Sequence, residues 1–252
     1  MKQAVLRNAV LGGLILCGLA AISQSALADS GRLYEVTIRN LSYRTTNVPE
    51  GAPPGQPIAP SLFVTHDSDF TLFDVGEAPP STDPRYFGLA KMAETGNPSD
   101  LVFAITGAEG VSDIVVLPVE GRDPPVLLPG ESNDTKITAS GNAKYFSAVA
   151  MLGATHDAFY AVRGVELPKQ GSITVYGIAY DAGSEVNSEI FAYTAAGGNA
   201  DEDGNMNIAV NGEGYIQVHS GIHGIGDQSV AAYDWRNPVV EITITRIHDD
   251  EE

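Results

Sequence analysis

Apolar and polar residues alternate with a period of two along much of this chain. In the segment 32–39, Tyr34, Val36 and Ile38 fall on one face, while Glu35, Thr37 and Arg39 fall on the other. Near the far end, Val240, Ile242 and Ile244 alternate with Glu241, Thr243 and Thr245. Such alternation marks strands with one buried and one wet face. Further strands are predicted at 113–117, 135–139, 145–152, 158–162, 172–180 and 215–218. They are separated by Pro124-Pro125, Leu128-Pro129-Gly130 and Ser140-Gly141-Asn142. A helical period occurs over 84–95, where Phe87, Leu89, Ala90 and Met92 recur before Gly96-Asn97-Pro98 stops it. A second short helix is predicted at 99–106, with Asn97 or Ser99 near its start. The proline-rich stretch 49–60 reads as a stiff surface loop. Many strands with one helical insertion and no internal repeat predict a single all-β domain, an antiparallel β-sandwich.

The N-terminus follows another pattern. Lys2 and Arg7 precede an apolar run over 9–22, and Ala26-Leu27-Ala28 supplies a small-x-small cleavage site. This predicts a signal peptide over 1–28, cleaved after Ala28, and a secreted or periplasmic domain over 29–252. The apolar run is short for a transmembrane span, and Leu16 before Cys17 argues against lipidation. Cys17 is the chain's single cysteine, so the mature domain can form no disulfide. Stability must then come from core burial, with or without a metal. Acidic residues number 32 against 14 basic, for a net charge of −18, and losing Lys2 and Arg7 makes the balance more negative still. Such a charge argues against nucleic acid and anionic membrane partners. It suits divalent cations or simple solubility.

Several segments, taken in order, resemble the spondin N-terminal domain family (F-spondin/mindin type). Tyr34-Glu35-Val36-Thr37-Ile38 is similar to its first strand. The run from Ala59-Pro60 through His66-Asp67-Ser68-Asp69-Phe70 to Phe73 is similar to its proline-led strand and the acidic-aromatic turn beyond. Gly88-Leu89 to Ala93-Glu94-Thr95-Gly96 resembles its helix, and Thr155-His156-Asp157 and Tyr180-Asp181-Ala182-Gly183 resemble two acidic loops. Asn237-Pro238 through Arg246 resembles its closing strand, so the likeness spans nearly all of 29–252. The resemblance implies a C2-like antiparallel sandwich that binds Ca2+ and serves in adhesion or recognition without catalysis. Asp157 and Asp181 match family ligands. A third acidic ligand comes from the preceding strand, where Lys136 stands at the aligned position, leaving Asp134 or Glu185 as substitutes. The implied partner is an extracellular glycan, lipid or protein surface.

Without the family, the two aspartates are better explained as solvated turn residues that bond their own backbone than as a cation pair. Other candidates are weaker. Asp201-Glu202-Asp203-Gly204-Asn205 starts like a calcium loop but lacks the later ligands, and reads as an exposed acidic turn. His219, His223 and Asp227 could hold zinc in a metal-dependent hydrolase, the enzymatic alternative. The glycines among them argue against a helix and for a tight loop. His66 reads as a loop tie, and Trp235 as a packing residue rather than a binding anchor. The sequence shows no nucleophile elbow and places no base beside a nucleophile. A purely structural envelope protein is the remaining alternative.

Overall fold

The computed structural model describes residues 31–43, 55–76, 83–198 and 212–248. The leader at 1–28 and the acidic turn at 201–205 lie outside the described residues. Strands β1 (Arg32–Asn40), β2 (Ser61–His66), β3 (Val111–Leu117), β4 (Ser132–Ala139), β5 (Tyr145–Met151), β6 (Ala158–Glu166), β7 (Ser172–Asp181), β8 (Gln217–Val218) and β9 (Val240–Ile247) account for most of the regular structure. Helices α1 (Pro84–Thr95) and α2 (Ser99–Ile105) form the insertion, and α3 (Val230–Tyr233) is a single turn.

The strands form one antiparallel sheet in the order β3-β2-β5-β6-β7-β9-β1-β4, with β8 added to β7. This sheet curls until it is nearly a barrel. Strand β7 makes the turn: its first half, Ser172 to Gly177, pairs with β9, and its second half pairs with β6 up to Asp181. Gly177 stands at the change of partner. A Cβ there would sit 2.6 Å from Val240 Cγ2 and 3.1 Å from the Ala161 carbonyl, so only glycine fits. The outer strands β3 and β4 are joined by side chains rather than by a ladder. Asp113 Oδ2 accepts from Thr138 N at 2.8 Å and from Thr138 Oγ1 at 2.6 Å, and Ser112 Oγ accepts from Ser140 N at 2.9 Å.

Two apolar clusters follow from the alternation. Tyr34, Val36, Ile38, Ala148, Tyr160, Ile242 and Ile244 fill the barrel interior. Leu62, Val64, Val149, Phe159 and Tyr180 point outward and are covered by Leu89 and Met92 of α1 and Leu101 of α2. Strand β2 is therefore buried on both faces along its whole length, which hides its period of two. The helical hairpin can lie close because Gly88 packs directly on the backbone of Leu101. Helix α1 has the predicted bounds. Asp83 caps its start, Pro84 opens its first turn, and Gly96 closes it in the left-handed region at φ 73°.

The described part of the predicted proline-rich surface loop is a buried connection instead. Gln56 and Ile58 are fully buried. Gln56 Nε2 donates to the Tyr233 carbonyl and its Oε1 accepts from Ala154 N, while Asn40 Nδ2 donates to the Gln56 carbonyl. Polar side chains thereby satisfy backbone groups that burial would otherwise orphan.

Candidate metal centre

Asp157 and Asp181 are far apart in sequence but neighbours in space. Asp157 directly precedes β6, Asp181 ends β7, and Asp181 is the ladder partner of Ala158. The Ala182 N–H also donates to the Asp157 carbonyl at 3.1 Å. Both side chains are buried, Asp157 completely. Asp157 Oδ2 accepts from Ser184 N at 2.8 Å, Ser184 Oγ at 3.1 Å and Glu185 N at 3.0 Å. Asp157 Oδ1 has no hydrogen-bond partner. Asp181 Oδ1 accepts from Gly183 N at 2.6 Å, and its Oδ2 accepts from Asn187 Nδ2 at 2.6 Å. Gly183 itself has φ 68° and lies against the Tyr215 backbone, where a Cβ would come within 2.3 Å of the carbonyl oxygen.

Glu185 joins this pair. It is buried, and its Oε2 also lacks a hydrogen-bond partner. Burial drives its pKa up to about 9, helped by the nearby charges of Glu94 and Asp157. Asp157 shifts upward for the same leading reason, burial, with Asp181 adding repulsion. Asp181 also moves up through burial, while the Asn187 amide opposes the shift and Glu213 adds to it. Crowded, desolvated carboxylates demand either protons or a compensating positive charge. A hard divalent cation is such a charge, and the oxygen-rich donor set suits calcium. Among the described residues no three His, Cys, Asp or Glu side chains form a ready-made ligand group. A cation here would therefore draw on Asp157 and Asp181 together with hydroxyl, carbonyl or water oxygens, which calcium accepts, with Glu185 as a nearby charge rather than a preformed third ligand.

Asp134 does not belong to this group. It lies exposed on β4, opposite Thr37 of β1, three ladder steps from β7 in the strand order. Thr37 is level with Thr243, and Thr243 with Thr174, near the opposite end of β7 from Asp181. Lys136 sits on the same exposed strand. The acid from another element that comes near the cluster is instead Glu94 of α1, which bonds Ser184 and adds its charge beside Glu185. Its one sequence signal is position: an acid in the last turn of a helix opposes the helix dipole and wants another reason to be there.

The zinc set does not assemble. His219 is buried and both its nitrogens are used: Nδ1 accepts from Gly221 N at 2.9 Å, and Nε2 lies 3.2 Å from Asn187 Oδ1. Asp227 Oδ1 accepts from Phe191 N at 2.6 Å. His223 is mostly exposed, with Nδ1 3.6 Å from Glu189 Oε1. The loop is held by Glu189, whose oxygens accept from His223 N at 2.6 Å and Ile225 N at 2.7 Å. Trp235 is buried with its ring 4.9 Å from that of His219, a packing role. The two sites communicate through one amide, since Asn187 bonds His219 on one side and Asp181 on the other.

No protein-family model matches the sequence, and no curated protein matches it.

Proposed function

We propose that this chain is an exported, spondin-type recognition or adhesion module. In this reading a calcium ion lies between Asp157 and Asp181, with Glu185 alongside. The observation that carries it is the pair of buried carboxylate oxygens without partners, Asp157 Oδ1 and Glu185 Oε2, in a cluster whose charges repel. When bound, the cation supplies the positive charge that this cluster lacks. The protein's own part is to fix the loops. Asp157 gathers Ser184 and Glu185, Asp181 tightens the turn at Gly183, and Asn187 ties that turn to the His219 loop. The ordered loops would present a surface to an extracellular glycan, lipid or protein.

The test is a thermal melt of the purified chain in calcium and in chelator. Calcium should raise the midpoint, since a ligand that binds only the folded state stabilises it by mass action. Asp181→Asn should abolish the difference. An equal midpoint in both buffers would remove calcium from the reading.

A further inference from the structure

We propose that Ser147 and His66 form a nucleophile–base pair that hydrolyses small carboxylic esters, at the opposite end of β6 from the carboxylate cluster. His66 Nε2 lies 2.8 Å from Ser147 Oγ, and His66 Nδ1 lies 2.8 Å from the Asp67 carbonyl oxygen. A carbonyl can only accept, so Nδ1 carries the proton and Nε2 presents its lone pair. Ser147 therefore donates its hydroxyl proton to Nε2. This is the geometry of a serine set beside a base whose tautomer is fixed by a third group. Burial lowers the pKa of His66, which keeps the imidazole free to take a proton.

A serine–histidine bond alone can simply tie two strands together. Three further features set this one apart. The first is a bulge. Phe146 pairs with Val165 and Ala148 with Val162, so Arg163 and Gly164 together oppose Ser147. Gly164 has φ 56°, and its freed N–H donates to Ser147 Oγ at 2.9 Å. Bulges of this kind re-aim side chains and concentrate at active sites. A second irregularity lies on the other side of the pair, at Thr65/His66 against β3. The next feature is space: His66, Ser147 and Gly164 line a pocket of about 310 Å³ with Phe70, Leu72 and Arg163. Last comes charge. Arg163 holds its guanidinium over the Phe73 ring at 4.7 Å, donates to the Phe73 carbonyl at 3.0 Å and pairs with Asp74 at 3.3 Å, which places a fixed charge pair at the pocket wall.

The chemistry balances with water alone. Ser147 Oγ bonds the ester carbonyl carbon as its proton passes to His66 Nε2, and the carbonyl electron pair moves onto oxygen. Collapse breaks the bond to the alkoxy group, which leaves as the alcohol with the proton from Nε2. Water then attacks the acyl-serine, passing its proton through Nε2 back to Oγ as the acid departs. The Gly164 N–H, bonded to Ser147 Oγ, stabilises negative charge as it builds on that oxygen during proton transfer, while Arg163, paired with Asp74, is the cation nearest the acyl group. Ser147 is 2% exposed, so the acyl group that reaches it is short, and Phe70 and Leu72 offer it an apolar wall.

The test uses the full chain. A fluorophosphonate should label Ser147, with the adduct located by peptide mass spectrometry, and p-nitrophenyl acetate should be turned over. Ser147→Ala should abolish both. His66→Gln should slow turnover by roughly 10²–10⁴, the usual share of a general base. The adduct is read on the unsubstituted protein, so labelling does not depend on how a variant folds. An unlabelled Ser147, or ester turnover undiminished in folded Ser147→Ala, would overturn the assignment and leave the pair as a strand tie.

Discussion

His156 Nδ1 lies 3.9 Å from Glu185 Oε2, and neither buried atom has a hydrogen-bond partner. Burial pushes the two groups in opposite directions, His156 down to about 4 and Glu185 up to about 9. Without a cation both are neutral at pH 7, which explains how they coexist without a proper bond. The arrangement has a consequence for pH. Glu185 binds its proton more tightly when folded, so its contribution is complete below its ordinary pKa and is lost as pH rises towards 9. His156 works the other way. Its contribution is complete above the ordinary histidine pKa of 6.5 and is lost as pH falls towards 4.

In chelator, the melting midpoint should therefore fall steadily from pH 6.5 to pH 9, where the histidine no longer offsets the acid. Glu185→Gln should flatten that fall, because an amide needs no proton to stay neutral. Calcium should flatten it in the unsubstituted chain by compensating the ionised carboxylates. A midpoint that is level or rising over this range in chelator would contradict the electrostatic picture of the loop end.

Glu189 holds the glycine-rich loop at a backbone cost. It is the described residue other than glycine with positive φ, at 55°, and it is buried. Its carboxylate receives two backbone N–H groups of the 219–226 segment, and its carbonyl receives Gln228 N at 3.1 Å. Hydrogen bonds to a charged group are worth about 1.5–3 kcal/mol each, so Glu189→Ala should destabilise the chain by roughly 2–4 kcal/mol. Glu189→Gly removes the same carboxylate but relieves the left-handed backbone, and should be no worse than alanine despite glycine's usual entropy penalty. Denaturant melts of the two variants check the ranking, and faster amide exchange at His223 and Ile225 checks the location.

How much of the fold is legible in the sequence depends on the range of the interaction. Tyr34, Val36 and Ile38 announce their strand because one face is core and the other is not, and the bounds of α1 are set by Pro84 and Gly96. Strand β2 is hidden from the alternation and offered only by the resemblance, since Leu62 and Val64 serve one apolar cluster and Phe63 the other. The alternation predicts two stacked sheets, and one curling sheet is found, because nothing local marks Gly177 as the point where a strand changes partners. Asp157 and Asp181 can be paired from sequence only through resemblance, while Asp134 is misplaced there because strand order does not reveal ladder register. Glu94 offers only its unfavourable place in the last turn of α1 as a sequence signal, and Ser147, 81 positions from His66, becomes visible only once the chain is folded.

Asp113 is a principal tie across the seam where the sheet nearly closes, and that can be tested directly. Strands β3 and β4 end the sheet on either side, and such edges invite pairing with another chain unless they are covered. Asp113 covers this one by accepting both the backbone N–H and the hydroxyl of Thr138, while its other oxygen accepts from Ile114 N at 2.9 Å. In Asp113→Ala the Thr138 N–H loses its acceptor at a half-buried seam, a loss worth about 1–3 kcal/mol. The same opening exposes two strand edges at once, so the variant should also associate as its concentration rises. Asp113→Asn keeps the side-chain shape and one acceptor oxygen, and should fall between alanine and the unsubstituted chain. Melting gives the stability order, and sedimentation over a concentration series gives the association. Equal stability and unchanged mass for Asp113→Ala would mean that the apolar interior and the Ser112–Ser140 tie suffice to hold the barrel shut.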